Sequence, residues 1–245
     1  FGEPFRKFRA HGLLIKDGAK MSKSRGNVVN PDAYLDEWGA DAFRMTMMFL
    51  GPYEEGGDFR EAGIVGVYRF LERIHRWYAE ELPRQEEGTL PQPARIKLHQ
   101  TIQKVGRDIE GLSYNTAVAA LMECLNELRR HAVRDRFAAE SFAVMLAPFV
   151  PHLAEEVWSL LGHAPSIADA PWPEFDPALT VEASVEIAVQ VNGKMRGTVS
   201  VPRDSSQDAV RDAALAHEKV AAHVAGKTLR KVIFVPNRLV NLIAG

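Results

Sequence analysis

The chain has 245 residues, 46% hydrophobic and 25% charged, with a formal net charge of −2, which excludes disordered and fibrous classes and leaves an ordinary globular protein. That length allows two domains and a piece of a third. One cysteine excludes an internal disulfide, no apolar run approaches a membrane span, and no signal peptide opens the chain, which together read as a reducing cytoplasm. The small net charge hides a pattern. Residues 1–34 carry seven Lys/Arg against three Asp/Glu, residues 35–183 carry 14 against 24, and residues 184–245 carry nine against five. Basic ends flank an acidic middle, so a nucleic acid is expected at the two ends and on selected faces of the middle.

Residues 1–57 mix short apolar runs with polar loops. Leu13-Leu14-Ile15 reads as a short buried strand leading to Lys20-Met21-Ser22-Lys23-Ser24-Arg25-Gly26-Asn27. Two ammonium groups three residues apart, flanked by small hydroxyl residues and a glycine, suit a polyanion whose charge shifts during reaction, above all a triphosphate. The alternative is a solvated surface loop. A nucleotide-kinase reading fails because the sequence has no Gly-x-x-x-x-Gly-Lys-Ser/Thr cradle. Pro31-Asp32 opens a helix, with Asn30 or Pro31 near its start. Asp41 to Leu50 reads as a second helix packed nearly all round, ended by Gly51-Pro52.

Residues 58–180 carry a helical period. Phe59, Ile64, Tyr68, Leu71, Ile74 and Tyr78 mark one face of a helix of about 25 residues. A polar, proline-bounded linker follows from Glu86 to Pro93. A second helix holds Ile96, Ile102, Val105 and Ile109, and a third runs through Leu121 and Leu125, with Ser113 or Asn115 as N-cap. The fourth runs from about Phe137 to Leu161, kinked or divided by Pro148 and Pro151. Four antiparallel helices with short loops make a bundle. Cys124 lies in an apolar helical run and reads as a buried, inert thiol. His152 reads as a packed core or capping group, and no His/Cys/Asp/Glu spacing forms a metal site.

From Val181 the period becomes two. Val185, Ile187, Val189 and Val191 alternate with polar residues. Asn192-Gly193 signals a hairpin, and Met195, Gly197, Val199 and Val201 return on one side. Two helices, Gln207 to about Ala216 and Glu218 to about Val224, precede two strands, Arg230–Val235 and Leu239–Ile243. The order ββααββ gives a small α+β domain with helices on one sheet face. It offers Lys194, Arg196, Lys227, Arg230, Lys231 and Arg238, with Lys194 and Arg196 projecting on the same side of the hairpin.

Lys20 to Ser24 matches letter for letter the second signature of class I aminoacyl-tRNA synthetases. The flanks, Gly18-Ala19, Arg25 to Asp32 and Trp38 to Arg44, resemble those of the leucine, isoleucine and valine enzymes. The tail discriminates among these. Val189 to Gly197, Lys227 to Asn241, Pro151 to Trp158 and Ala170 to Pro173 look like the C-terminal portion of bacterial leucyl-tRNA synthetase. The resemblance runs from about His11 to the C-terminus. It implies an α+β, mainly helical chain. Residues 1–57 would be the end of the catalytic core with its lysine loop, 58–180 an anticodon-binding-like helical bundle, and 181–245 a small tRNA-binding domain.

The resemblance further implies an enzyme that activates leucine with ATP and Mg²⁺ to leucyl-adenylate and transfers leucine to tRNA(Leu). Lys20 and Lys23 would act on the ATP phosphates, while Met21, Ser22 and Ser24 complete the ATP loop. Lys194, Arg196, Lys227, Arg230, Lys231 and Arg238 would hold the tRNA at its outer corner and long variable arm, joined by Arg69 and Arg73 of the bundle. Solvated charges are the alternative for the tail. Surface salt bridges with Glu72, Glu80 or Asp135 are the alternative for Arg69, Arg73, Arg76, Arg129, Arg130, Arg134 and Arg136. The bundle of bacterial-type leucine enzymes is not expected to read the anticodon.

No His-x-Gly-His first signature, leucine pocket or editing domain is present in the sequence. The chain begins in mid-phrase at Phe1 and reads as the C-terminal part of something longer or a shortened piece. Alone, it is expected to bind no cofactor and to form no adenylate. A monomer without membrane attachment is expected. A free-standing tRNA-binding module or partner subunit without chemistry is the competing reading.

Overall fold

The computed structural model describes residues 2, 4, 5, 7–84, 88–164, 166–180 and 184–245. The chain divides into two compact units, residues 1–180 and 181–245. The architecture is α+β and mainly helical, as expected.

The first unit opens with a three-stranded sheet: β1 (Leu13–Lys16), β2 (Ala19–Lys20) and β3 (Gly56–Phe59), in the order β2-β1-β3. Asp17 and Gly18 both take positive φ, 54° and 73°, the pair of conformations a two-residue hairpin needs. β1 runs parallel to β3, with Leu13 opposite Gly56. A Cβ at Gly56 would sit 2.1 Å from the Leu13 carbonyl oxygen, so only glycine lets the two strands meet there. The strand at Leu13-Leu14-Ile15 forms but is not buried: Leu13 is 60% exposed.

Two helices lead from the sheet to the bundle. α1 (Pro31–Trp38) starts at Asn30, whose side chain accepts from the Asp32 N–H at 3.3 Å. α2 (Ala40–Phe49) buries only Ala42, Met45 and Thr46, while Phe49 is exposed. The expected all-round packing therefore does not occur, because the helix is covered on one side. Tyr34 of α1 meets the Phe59 ring edge-on, with centroids 5.2 Å apart. Phe59 itself belongs to β3 and not to the next helix, so the helical face read from it starts at Ile64.

The bundle comprises α3 (Glu61–Arg76), α4 (Gln92–Glu110), α5 (Tyr114–Arg130), α6 (Arg136–Leu146) and α7 (Pro151–Leu160). α3 continues into a single π turn over Trp77–Glu81 and a 3-10 turn over Leu82–Arg84. One core, centred on Trp77, Leu98, Ile102, Leu121, Leu125, Phe142 and Phe149, joins all five helices. Pro148 and Pro151 divide the last segment into α6 and α7, because each removes a backbone donor. Ser113 is the residue before α5 but makes no side-chain cap bond, and Asn115 lies inside the helix. Glu86 and Glu87 of the expected linker fall outside the described residues. Cys124 is fully buried, and burial pushes its thiol pKa up to about 12, so it is inert.

The second unit holds β4 (Ser184–Val191), β5 (Lys194–Pro202), α8 (Gln207–Ala216), α9 (Glu218–Val224), β6 (Leu229–Val235) and β7 (Leu239–Ala244). The sheet order is β5-β4-β7-β6, with β4 and β7 parallel. Val185, Ile187, Val189, Val191, Val199, Val201, Val240 and Leu242 face Val210, Ala214 and Val220 of the two helices. Asn192 and Gly193 take φ of 51° and 77° at the hairpin turn.

One register shift overturns part of the expected pattern. Val189 pairs with Gly197 but Gln190 pairs with Met195, so Arg196 is an extra residue in β5, a β-bulge. Strict alternation stops there. Met195 is 52% exposed opposite Gln190 and does not share the core face of Gly197, Val199 and Val201. The bulge also removes the strict two-residue alternation on which the expected shared side of Lys194 and Arg196 rests.

Candidate nucleotide and nucleic-acid interfaces

The lysine loop hangs from β2 and is held by backbone and amide hydrogen bonds, not by packing. Lys23–Arg25 forms a 3-10 turn with no buried residue, closed by Gly26 at φ 67°. The Asn27 side chain bridges the loop. Its Oδ1 accepts from the Ser22 N–H at 2.8 Å, and its Nδ2 donates to the Lys20 carbonyl at 3.2 Å. The Ser22 and Ser24 hydroxyls lie 2.8 Å apart. Lys20, Lys23, Ser24 and Arg25 are exposed, and Met21 and Ser22 are half-buried. Among the described residues, the Lys20 and Lys23 ammoniums have no partner. Such a loop displays two uncompensated cations on a defined turn, which a polyphosphate can neutralise.

The hairpin that carries this loop is tied down from outside. Asp58 of β3 accepts from Arg60 at 3.0 Å and from the Gly18 N–H at 3.4 Å, and the Arg60 bond holds its carboxyl below the usual range. Glu61, at the start of α3, accepts from the Tyr34 hydroxyl at 2.8 Å and lies 3.7 Å from the Lys16 ammonium. α2 then fixes this assembly to the bundle. Both oxygens of Asp41 accept from the start of α7: Leu153 N–H at 2.7 Å, His152 N–H at 3.4 Å and His152 Nδ1 at 2.9 Å. Arg44 donates to the Pro148 carbonyl at 3.0 Å. His152 is thus neither core nor cap, since its side chain is 78% exposed.

The bundle arginines are mostly engaged. Arg73 donates to Asn126 of α5. Arg129 makes two bonds to Glu81, at 2.8 and 2.5 Å, and this pair holds the Glu81 carboxyl below its ordinary range. Arg130 pairs with Glu127 at 3.4 Å and Arg136 with Glu140 at 2.6 Å. Arg129, Arg130 and Arg136 thus pair with Glu81, Glu127 and Glu140. Arg69 and Arg76 are exposed. Arg76 lines a groove of about 430 Å³ together with Tyr68, Leu71, Glu72, His75, Glu80 and Leu153.

Strand directions sort the terminal cations. β4 and β7 run parallel, so the Asn192-Gly193 turn and the start of β6 lie at one end of the sheet. That end collects Lys194, Arg196, Lys227, Arg230 and Lys231. Arg238 follows the β6–β7 turn at the other end, a strand length of roughly 20 Å away. Its turn is stitched there by Asn237 and Asp204, which exchange bonds of 2.9 and 2.7 Å. Lys194, Lys227, Arg230, Lys231 and Arg238 are exposed, whereas Arg196 is half-buried with its Nε lacking a partner. Lys227 also donates to the His223 carbonyl at 3.0 Å.

Asn27 and Asp41 were not singled out in the sequence. An amide just after a glycine in a short polar loop is a loop-closing signal, and could have pointed to Asn27. Asp41 has no such signal, because its partners lie more than a hundred residues away.

The model for class I tRNA synthetases (I, L, M and V) matches residues 2–59, and that for the anticodon-binding domain of tRNA ligases matches residues 94–211. A leucine–tRNA ligase of Pseudothermotoga lettingae is 40% identical over 259 residues, covering 99% of this chain and 32% of that protein. One of Chlorobium limicola is 43% identical over 244 residues, covering 98% and 30%. The solved LeuRS-tRNA-LeuAMS ternary complex from Agrobacterium radiobacter is similar over 100% of this chain and 34% of that one, with a TM-score of 0.72 and 29% identity. The chain spans about a third of the length of the relatives it matches. It belongs to the class I tRNA synthetases and corresponds to a C-terminal part of the leucine–tRNA ligases.

Proposed function

We propose that this chain supplies the ATP-phosphate loop and the tRNA-holding modules of a leucine–tRNA ligase. The whole enzyme joins leucine to ATP as leucyl-adenylate and passes the leucyl group to tRNA(Leu). Residues 1–57 act as the end of the catalytic core, 58–180 as the helical bundle and 181–245 as the terminal tRNA-binding domain. The observation that carries the reading is the pair of unpartnered ammoniums on the Lys20–Ser24 loop, in a chain matched end to end by leucine–tRNA ligases.

In the first step a leucine carboxylate oxygen attacks the α-phosphorus of ATP, and the bond to pyrophosphate breaks. Negative charge grows on the leaving pyrophosphate. Lys20 and Lys23 meet it with mobile cations, which stabilises the transition state more than the ground state. Met21, Ser22 and Ser24 shape the loop around the phosphates. Mg²⁺, when bound, would supply further positive charge to the phosphates. Among the described residues no group of three His, Cys, Asp or Glu could hold a metal. Lys194, Arg196, Lys227, Arg230, Lys231 and Arg238, with Arg69 and Arg73 of the bundle, contact the tRNA backbone and read its shape. The reading includes a monomer in the cytoplasm, where a single buried thiol such as Cys124 is at home.

The test is Lys23→Ala in the complete enzyme. Leucine-dependent pyrophosphate exchange should slow by one to three orders of magnitude, roughly 1.4–4 kcal/mol of transition-state stabilisation. An unchanged rate would remove Lys23 from the mechanism.

A further inference from the structure

We infer that Asn27 is a positioning residue for the lysine loop: its carboxamide closes residues 20–27 into a ring that sets where the Lys20 and Lys23 ammoniums stand. The inference rests on the proposed phosphate role of those two lysines. Within the 3-10 turn no residue is buried, so apolar packing does not fix its shape. What fixes it is a short set of hydrogen bonds. Backbone bonds from Arg25 N–H to the Ser22 carbonyl at 3.1 Å and from Gly26 N–H to the Lys23 carbonyl at 3.2 Å make the turn. Asn27 alone among the described side chains beyond the turn bonds to its backbone, and it does so on both sides of Met21.

The chemistry of the amide explains the choice of residue. The ring needs an acceptor for the Ser22 N–H and a donor for the Lys20 carbonyl at once, on a side chain short enough to fold back. Asparagine offers both. Aspartate, ionised, keeps only the acceptor. Alanine keeps neither. Without the ring, the segment from Lys20 to Lys23 is free to sample many conformers, and the two cations must be ordered by each triphosphate anew. The loss falls on the step in which charge moves to pyrophosphate, because correct placement matters most there.

The test uses the full-length ligase that carries this segment, with Asn27→Ala, Asn27→Asp and Lys23→Ala side by side. Two readings are taken: hydrogen exchange of the peptide holding Ser22, and leucine-dependent pyrophosphate exchange at varied ATP and varied leucine. Asn27→Ala should speed exchange at Ser22 and lower kcat about tenfold, with the KM for leucine unchanged. Asn27→Asp should keep the Ser22 amide protected and show a smaller loss of kcat. If Asn27→Ala speeds amide exchange yet keeps the wild-type kcat while Lys23→Ala is impaired, the inference falls and the phosphate reading stands. Unaltered protection at Ser22 in Asn27→Ala also overturns it. If Lys23→Ala is unimpaired, the reading beneath it falls instead. Should Asn27→Ala fail to fold, Asn27→Asp carries the test, and a wild-type kcat in that variant overturns the inference.

Discussion

Asp41 shows how a single carboxylate joins parts of the chain that are distant in sequence. It is 12% exposed and receives the first free N–H groups of α7, so it acts as an N-cap supplied from another helix. Asp41→Ala leaves those donors without their partner and should cost about 2 kcal/mol, as a drop in thermal stability of the first unit. An unchanged melting temperature would mean that water replaces the carboxylate at no cost. At this scale the sequence is readable where chemistry is local. Asn30 caps its own helix, and Asn192-Gly193 makes its own turn. It is unreadable where the partner comes from elsewhere. His152 looks apolar-packed from its neighbours, and only the arrival of Asp41 explains why it stays at the surface.

Between the bundle and the second unit, residues 170–180 lie along α4. The Trp172 indole packs over Gly106, where an added Cβ would stand 3.3 Å from its Nε1. The Asp176 N–H donates to His99 Nδ1 at 3.0 Å, which requires the unprotonated nitrogen. Burial holds the His99 pKa below its ordinary 6.5, with Arg95 adding to the depression and Asp176 opposing it. The unfolded chain therefore binds the proton more readily than the folded one. The contribution to stability is complete above pH 6.5 and declines as pH falls from there towards the depressed folded value. Acid should loosen this segment, read as a pH-dependent change in the Trp172 environment that His99→Asn suppresses. A signal equally pH-dependent in that variant would exclude His99 as its source.

Most elements were legible because their periods differ: 3.6 in the bundle, two in the tail. The exceptions have physical causes. Phe59 stands five residues before Ile64, off the three-to-four spacing of the helical face, and the parallel pairing with β1 claims it for a strand. Met195 obeys alternation in the text, yet the bulge at Arg196 moves it to the open face. The strand partner of Phe59 is Lys16, far away in sequence, and the bulge inserts one residue into a hairpin whose alternation gives no sign of it.

Across the whole molecule, each unit has a hydrophobic core of its own. The first runs from Ala42 to Ile167 and the second from Val185 to Leu242. Removing residues 181–245 therefore opens no cavity in the bundle core. In the complete enzyme this deletion should weaken tRNA charging severalfold while adenylate formation, followed by pyrophosphate exchange, persists. The charging defect should also shrink as salt rises, because the intact enzyme has more Lys and Arg backbone contacts to lose than the deletion variant. Charging that survives the deletion intact would reduce the terminal cations to solvated charges. The lysine loop was legible from its spelling alone, because two ammoniums in a flexible polar loop suit few ligands. The grouping of the terminal cations was not, because strand order decides which ends of a sheet meet.

The division into two units also splits the chromophores. Trp38, Trp77, Trp158 and Trp172, and all five tyrosines, lie before residue 180. Tryptophan and tyrosine absorbance and emission thus come entirely from the first unit, and the second carries only the weakly absorbing Phe234. One tryptophan placed at an exposed strand position such as Ile233 would give that unit a voice of its own, letting each unfold under a separate light.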